Sequence, residues 1–211
     1  MPQVVSITQC TELGTLYTPD EIRVICEQAH ARNMKVHVDG SRIANAAASL
    51  GIPMGAFTSD VGVDILSLGG TKNGALLGEA VVVLNSDAVS HMKHLRKLSM
   101  QLHSKMRFVA VQLEALLAKD LWLRNAQHAN EMAQRLAEGV RTVDGVQVLY
   151  PVQANAVFAR LPHDVSERLQ KRFRFYFWDE AVGDVRWMCS FDTTEADVDA
   201  FVTALRAEMA R

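Results

Sequence analysis

The chain has 211 residues, 49% of them hydrophobic and 22% charged, and its 22 basic and 24 acidic side chains give a formal net charge of −2. This composition excludes a disordered chain, and the near-neutral balance argues against a nucleic-acid binder that works by bulk charge. No apolar run reaches the ~18 residues needed to span a bilayer, and MPQVVSITQC lacks the basic-then-apolar order of a signal peptide. Three widely spaced cysteines, Cys10, Cys26 and Cys189, make neither a disulfide framework nor a four-ligand zinc site. A reduced, soluble, cytoplasmic protein without a metal centre is expected.

Val4–Ile7 reads as a β-branched strand that begins at once. Thr18-Pro19-Asp20-Glu21 is an N-cap followed by proline and two acids, so a helix should follow. Its buried face would carry Ile22, Ile25, Cys26 and Ala29, with Asn33 as the stop. Lys35–Val38 is a short strand ending at Asp39-Gly40. Helical spacing returns at Ile43–Leu50 and halts at Gly51-Ile52-Pro53. Asp64–Leu68 reads as a strand, residues 69–74 (GGTKNG) as a tight loop, and Ala80–Leu84 as an apolar strand expected to be buried on both faces. From Asp87 to Thr142 the pattern is almost wholly helical, with Gly139 its only glycine and an interruption expected near Lys119-Asp120. Val146–Leu149, Ala156–Arg160, Phe175–Trp178 and Val185–Ser190 look like strands, Ser166–Phe173 like a helix, and Thr193–Met209 like a terminal helix capped by Thr194. Alternating strands and helices give way to a small α+β unit. The domain boundary is expected between residues 100 and 125, placing 1–110 in a large domain and 111–211 in a small one with a leading helix.

Three features carry candidate chemistry. Asp39 stands at a strand end, where α/β sheets place ligand contacts, and strand period two puts His37 on its side. The same Asp-Gly pair also fits a plain turn. Lys72 is one lysine among glycines, between two hydrophobic strands. Partial desolvation there would lower its pKa and suit a Schiff-base amine, and the glycines would let a planar ligand approach. A turn with a solvated lysine is the plain alternative, and the spacing does not fit a P-loop. Arg186 lies inside an apolar strand, which is costly unless it is paired; it suits a carboxylate fork or a snorkelling edge position.

Taken together, the segments VVSITQCTELGTLYTPDEI, HVDGSRIANA, SLGGTKNGALLGEAVV, QLHSKMRF and VRWMCSFDTTEADVDAF resemble a low-specificity L-threonine aldolase of the β-eliminating-lyase group. The resemblance covers essentially the whole chain and is sharpest at Asp39–Arg42 and Gly69–Asn73. It implies an α/β fold of the fold-type I, pyridoxal-phosphate-dependent transferase kind, with an incomplete large domain on a mixed sheet and a C-terminal α+β domain. It implies pyridoxal 5′-phosphate as cofactor, with Lys72 forming the Schiff base and Asp39 binding the protonated ring nitrogen. Arg42 and Thr71 would lie beside the cofactor, Arg42 also near the substrate. Arg186 would grip the substrate carboxylate, His37 would orient Asp39, and Lys105 and Arg107 would reach a cofactor phosphate, on a neighbouring subunit if need be. The implied reaction cleaves L-threonine or L-allo-threonine, small β-hydroxy-α-amino acids, to glycine and acetaldehyde. A homodimer or homotetramer is implied.

The family's chain is longer at its N-terminus, so this sequence opens in what resembles the middle of the large domain. The family's phosphate loop, ring-stacking histidine and carboxylate-binding serine have no matching position. The alternatives are a related pyridoxal-phosphate β-eliminating lyase or aminotransferase, or a non-catalytic fragment that needs a partner chain.

Overall fold

The computed structural model of the chain describes residues 2–211, which divide into two compact units. One takes the residues up to Thr11 together with Tyr17–Arg124; the other takes Glu12–Leu16 and Asn125–Arg211.

The first unit is built on a four-stranded sheet in the order β1 (Val4–Thr8), β2 (Lys35–Gly40), β3 (Ile65–Gly69), β4 (Glu79–Val83). The first three strands are parallel and β4 runs antiparallel to β3, which makes the sheet mixed. Helix α1 (Pro19–His30) starts where the sequence indicates. The Thr18 hydroxyl accepts the Glu21 N–H, and the Glu21 carboxylate accepts the Thr18 N–H, a reciprocal capping box. Its Ile22, Cys26 and Ala29 are buried, while Ile25 is only partly so. Fully burying Ile22 alone contributes about 1.5–3 kcal/mol. Helix α2 (Ile43–Leu50) ends at Gly51 in a left-handed conformation. Both helices pack on β2. A strand order that advances one way, with right-handed crossovers, puts them on the same face. That face buries Val36, Val38 and Leu66.

Two expectations fail here. Strand β4 is not buried on both faces: Val81 is 57% exposed. It is an edge strand of a sheet covered on one side, so its apolar run reflects β propensity rather than two-sided burial. Nor is the stretch after residue 87 wholly helical. Helix α3 (Met92–Leu98) has no buried residue, and irregular backbone flanks it, with positive φ at His91 and Met100. Helix α4 (Arg107–Leu117) then meets the expected interruption: Lys119 and Asp120 both take positive φ, and helix α5 (Leu121–Arg141) follows.

The second unit holds an antiparallel sheet in the order β5 (Gln147–Val148), β6 (Ala156–Arg160), β8 (Asp184–Met188), β7 (Tyr176–Asp179). One face, with Val157, Ala159, Val185 and Trp187, joins a core shared with α5, α6 (His163–Gln170) and α7 (Glu195–Met209). A Cβ at Gly139 would stand 2.8 Å from Val202, so this glycine is what lets α7 approach α5 so closely. A Thr194–Asp197 capping box opens α7.

Candidate active site

Loops leaving the C-terminal ends of parallel strands are where α/β sheets gather ligand-binding groups. Asp39, near the end of β2, is in register with Thr8 of β1 and Ser67 of β3. It faces away from the buried side of the sheet, as the alternation with Val38 requires. One of its oxygens accepts the Ser41 N–H at 2.9 Å, which closes the turn toward α2. Among the described residues it enters no ion pair, so a half-buried carboxylate stands without a cation. Arg42 follows at the N-cap of α2, half-buried.

Among the described residues His37 makes no hydrogen bond to Asp39. Its Nδ1 hydrogen-bonds the Ser6 hydroxyl at 2.8 Å and its Nε2 the Ser67 hydroxyl at 2.9 Å. The ring therefore ties the three parallel strands together on the same face as Asp39. Neutral imidazole offers one donor and one acceptor, and two hydroxyls, each able to do either, satisfy both.

On the neighbouring strand end, β3 runs through Gly69-Gly70 into a 3-10 turn at Thr71–Asn73. A Cβ at Gly69 would lie 2.6 Å from Ser41 Cα, and one at Gly70 2.7 Å from the Gly78 carbonyl oxygen. These glycines serve close approach of backbone to backbone, not the approach of a planar ligand. The loops after β2 and β3 meet at the Ser41–Gly69 contact, and this brings the Asp39–Arg42 and Thr71–Lys72 pairs to the same end of the sheet.

Glu79, the only acid between Asp64 and Asp87, fixes the lysine turn. Its carboxylate accepts the Gly70 N–H at 3.1 Å and the Thr71 N–H at 3.2 Å. Those two N–H groups are thereby spent, which removes a phosphate cradle at this loop. Buried Asn73 donates to the Trp122 carbonyl at 2.9 Å and pins the other side of the turn. Lys72 itself is exposed. The expected desolvation is not supplied by the described residues.

Lys105 and Arg107 lie just before and at the first residue of α4, both exposed, with no side-chain partner among the described residues. Arg186 belongs to the second unit, in the middle of β8. It is half-buried, and its Nε is buried without a hydrogen-bond partner. Its guanidinium carbon lies 5.2 Å from the centre of the Trp178 ring. Sequence reasoning missed Glu79, Ser6, Ser67 and Trp178. Only Glu79 left a local signal, as the lone acid closing a glycine-rich loop.

Comparison with known proteins adds three findings. A family model described as beta-eliminating lyase matches residues 1–163. Low-specificity L-threonine aldolases from Pseudomonas sp. (strain NCIMB 10558) and Pseudomonas aeruginosa are 41% and 44% identical, over 99% and 91% of this chain. The chain spans 60% and 56% of their respective lengths. A solved threonine aldolase structure from Leishmania major superposes with a TM-score of 0.90 at 27% identity, covering 99% of this chain and 62% of that one.

Proposed function

The chain belongs to the beta-eliminating lyase family, and from that premise we propose that it works as a pyridoxal-phosphate-dependent aldolase that cleaves L-threonine or L-allo-threonine to glycine and acetaldehyde. One observation carries this reading: a carboxylate in no ion pair among the described residues, Asp39, and a lysine on a braced turn, Lys72, stand at the ends of adjacent parallel strands whose loops touch.

The donor set fits the cofactor at its ring and its aldehyde. Asp39 enters no ion pair among the described residues and suits a protonated ring nitrogen, a charge-assisted hydrogen bond. Lys72 would provide the amine that holds the cofactor covalently, with Arg42 and Thr71 on the same two loops. The N–H groups at Gly70 and Thr71 are taken by Glu79, and Lys105 and Arg107, cations with no side-chain partner among the described residues, would be left to reach the phosphate. When bound, pyridoxal phosphate supplies an electron sink for the carbanion left when Cα–Cβ breaks. Arg186, in the second unit, would offer an amino-acid carboxylate a two-point grip. Ser6, His37 and Ser67 lock the strands that carry Asp39, so its carboxylate is held in place before substrate arrives.

The exposure of Lys72 favours a second reading, in which these residues complete a site only together with a partner chain. Exposed apolar side chains around α3 and α4, among them Leu98, Met100 and Phe108, support a homodimer or homotetramer. A cytoplasmic location accords with three reduced, buried cysteines.

The test is an assay of the protein supplied with pyridoxal phosphate. Acetaldehyde release from threonine that disappears in Lys72→Ala supports the proposal. Pyruvate from serine without acetaldehyde from threonine would move the chain to a β-eliminating relative. Absence of both, recovered on adding a partner chain, would favour the second reading.

A further inference from the structure

The second unit's sheet has a face turned away from its helical core, and two arginines lie on it, Arg160 and Arg186. Only one of them is neutralised. Arg160 holds both oxygens of Asp184, Nε at 2.6 Å and Nη2 at 3.1 Å. That acid is spent, and among the described residues Arg186 has no carboxylate to pair with. A half-buried guanidinium with an orphaned Nε is costly to keep.

What it does have is an aromatic platform. The β7–β8 register shifts between Phe177 and Asp179, and Trp178 lies in that irregularity. Such irregularities re-aim a side chain, and here the indole faces the Arg186 guanidinium. The indole is itself held in place: it packs edge-on against Phe158 at 5.1 Å and 83°, and Phe158, fully buried, meets Tyr150 at 5.7 Å and 78°. Phe158 also sits directly opposite Arg186 in the β6–β8 register. The floor beneath the arginine is therefore aromatic and fixed.

We infer that Trp178 is a positioning residue: its indole face holds the Arg186 guanidinium in the orientation that presents a two-point fork to the carboxylate of an amino-acid substrate. The inference rests on the reading of Arg186 as the carboxylate grip. A guanidinium held over a ring face by cation–π attraction keeps its terminal N–H groups free to point away from the ring. Binding then costs less ordering, because the fork is set in advance.

Two variants separate the ring's face from its bulk. Trp178→Leu keeps apolar contact with Phe158 and removes the π face; Trp178→Phe keeps a ring. In the protein loaded with pyridoxal phosphate, Trp178→Leu is expected to raise the threonine KM about tenfold, with kcat changed less than about threefold, and Trp178→Phe to restore most of the affinity. A readout independent of turnover is modification of arginine by phenylglyoxal, followed by peptide mapping. Glycine should protect Arg186 in the wild-type and Trp178→Phe proteins but not in Trp178→Leu. Equal protection in Trp178→Leu would overturn the positioning role and leave the arginine's role standing. Failure of glycine to protect Arg186 in the wild-type protein would overturn both.

Discussion

Asp39 and Lys72 differ in how completely the chain prepares them. The carboxylate is set by a backbone N–H at 2.9 Å and by neighbours that are themselves hydrogen-bonded across three strands. The amine stands on a turn held by Glu79 and Asn73, yet is open to water. The three thiols are the opposite case. Burial pushes Cys10 up to about 12, outweighing the nearby Arg42 charge, which lowers it. Burial likewise takes Cys189 to about 12, and burial followed by the Asp64 and Glu27 charges takes Cys26 to about 11. A thiol reacts as thiolate, so none should alkylate at neutral pH in the folded protein. Iodoacetamide labelling followed by mass measurement should find all three unmodified until denaturant is added. Rapid native labelling at any one of them would show that its burial is mistaken.

At the scale of elements, the end of the first sheet opposite the site is organised by Asp64, which is fully buried. Its carboxylate accepts from His30 of α1 at 2.8 Å, from the Val36 N–H of β2 at 2.8 Å and from Asn85, beyond β4, at 2.6 Å. Burial pulls its pKa upward, but the hydrogen bonds from His30, Val36 and Asn85 together outweigh it and leave the pKa below the usual 3.8. A pKa depressed in the folded state adds stability that is whole above the unfolded value and is lost as pH falls through the folded one. The wild-type protein should therefore lose stability below about pH 4, with a flatter acid limb in Asp64→Asn. Asp64→Ala should cost about 1–3 kcal/mol at neutral pH, because it leaves the buried Val36 N–H without its acceptor. Urea denaturation across pH measures both; identical acid limbs would refute the role. Much of this layer was legible in advance. Thr18 with Glu21 and Thr194 announced two helix starts, and Lys119-Asp120 announced the break before α5. The partners of His37 and Asp64 were not legible, since they depend on strand register, which one sequence does not display. The exposure of β4 was hidden for a related reason: a run of valines reads the same at an edge as in the middle of a sheet.

Across the whole molecule, each unit keeps its own core, while apolar surface collects outside both. Leu98 is 79% exposed, Met100 84% and Phe108 63%. A contiguous apolar patch is a mark of contact with another chain, and the proposed homo-oligomer would use these side chains. Phe108→Asp is expected to shift the protein toward smaller assemblies in sedimentation without lowering its melting temperature at low concentration. An unchanged distribution would move the interface elsewhere. The α/β class was legible in the alternation of strands and helices, and the two loops in local patterns, a strand-end aspartate and a glycine-flanked lysine. The water around Lys72 was not foreseen, because cover is a property of what packs on a face rather than of the loop.

The account depends most on Lys72 as the amine that takes the cofactor, with Asp39 beside it at the neighbouring strand end. Incubation with pyridoxal phosphate, borohydride reduction and peptide mapping addresses this directly. Labelling confined to Lys72, abolished in Lys72→Ala and weakened about tenfold or more in Asp39→Asn, is the expected result. Labelling spread over other lysines, or unchanged in Asp39→Asn, would contradict it.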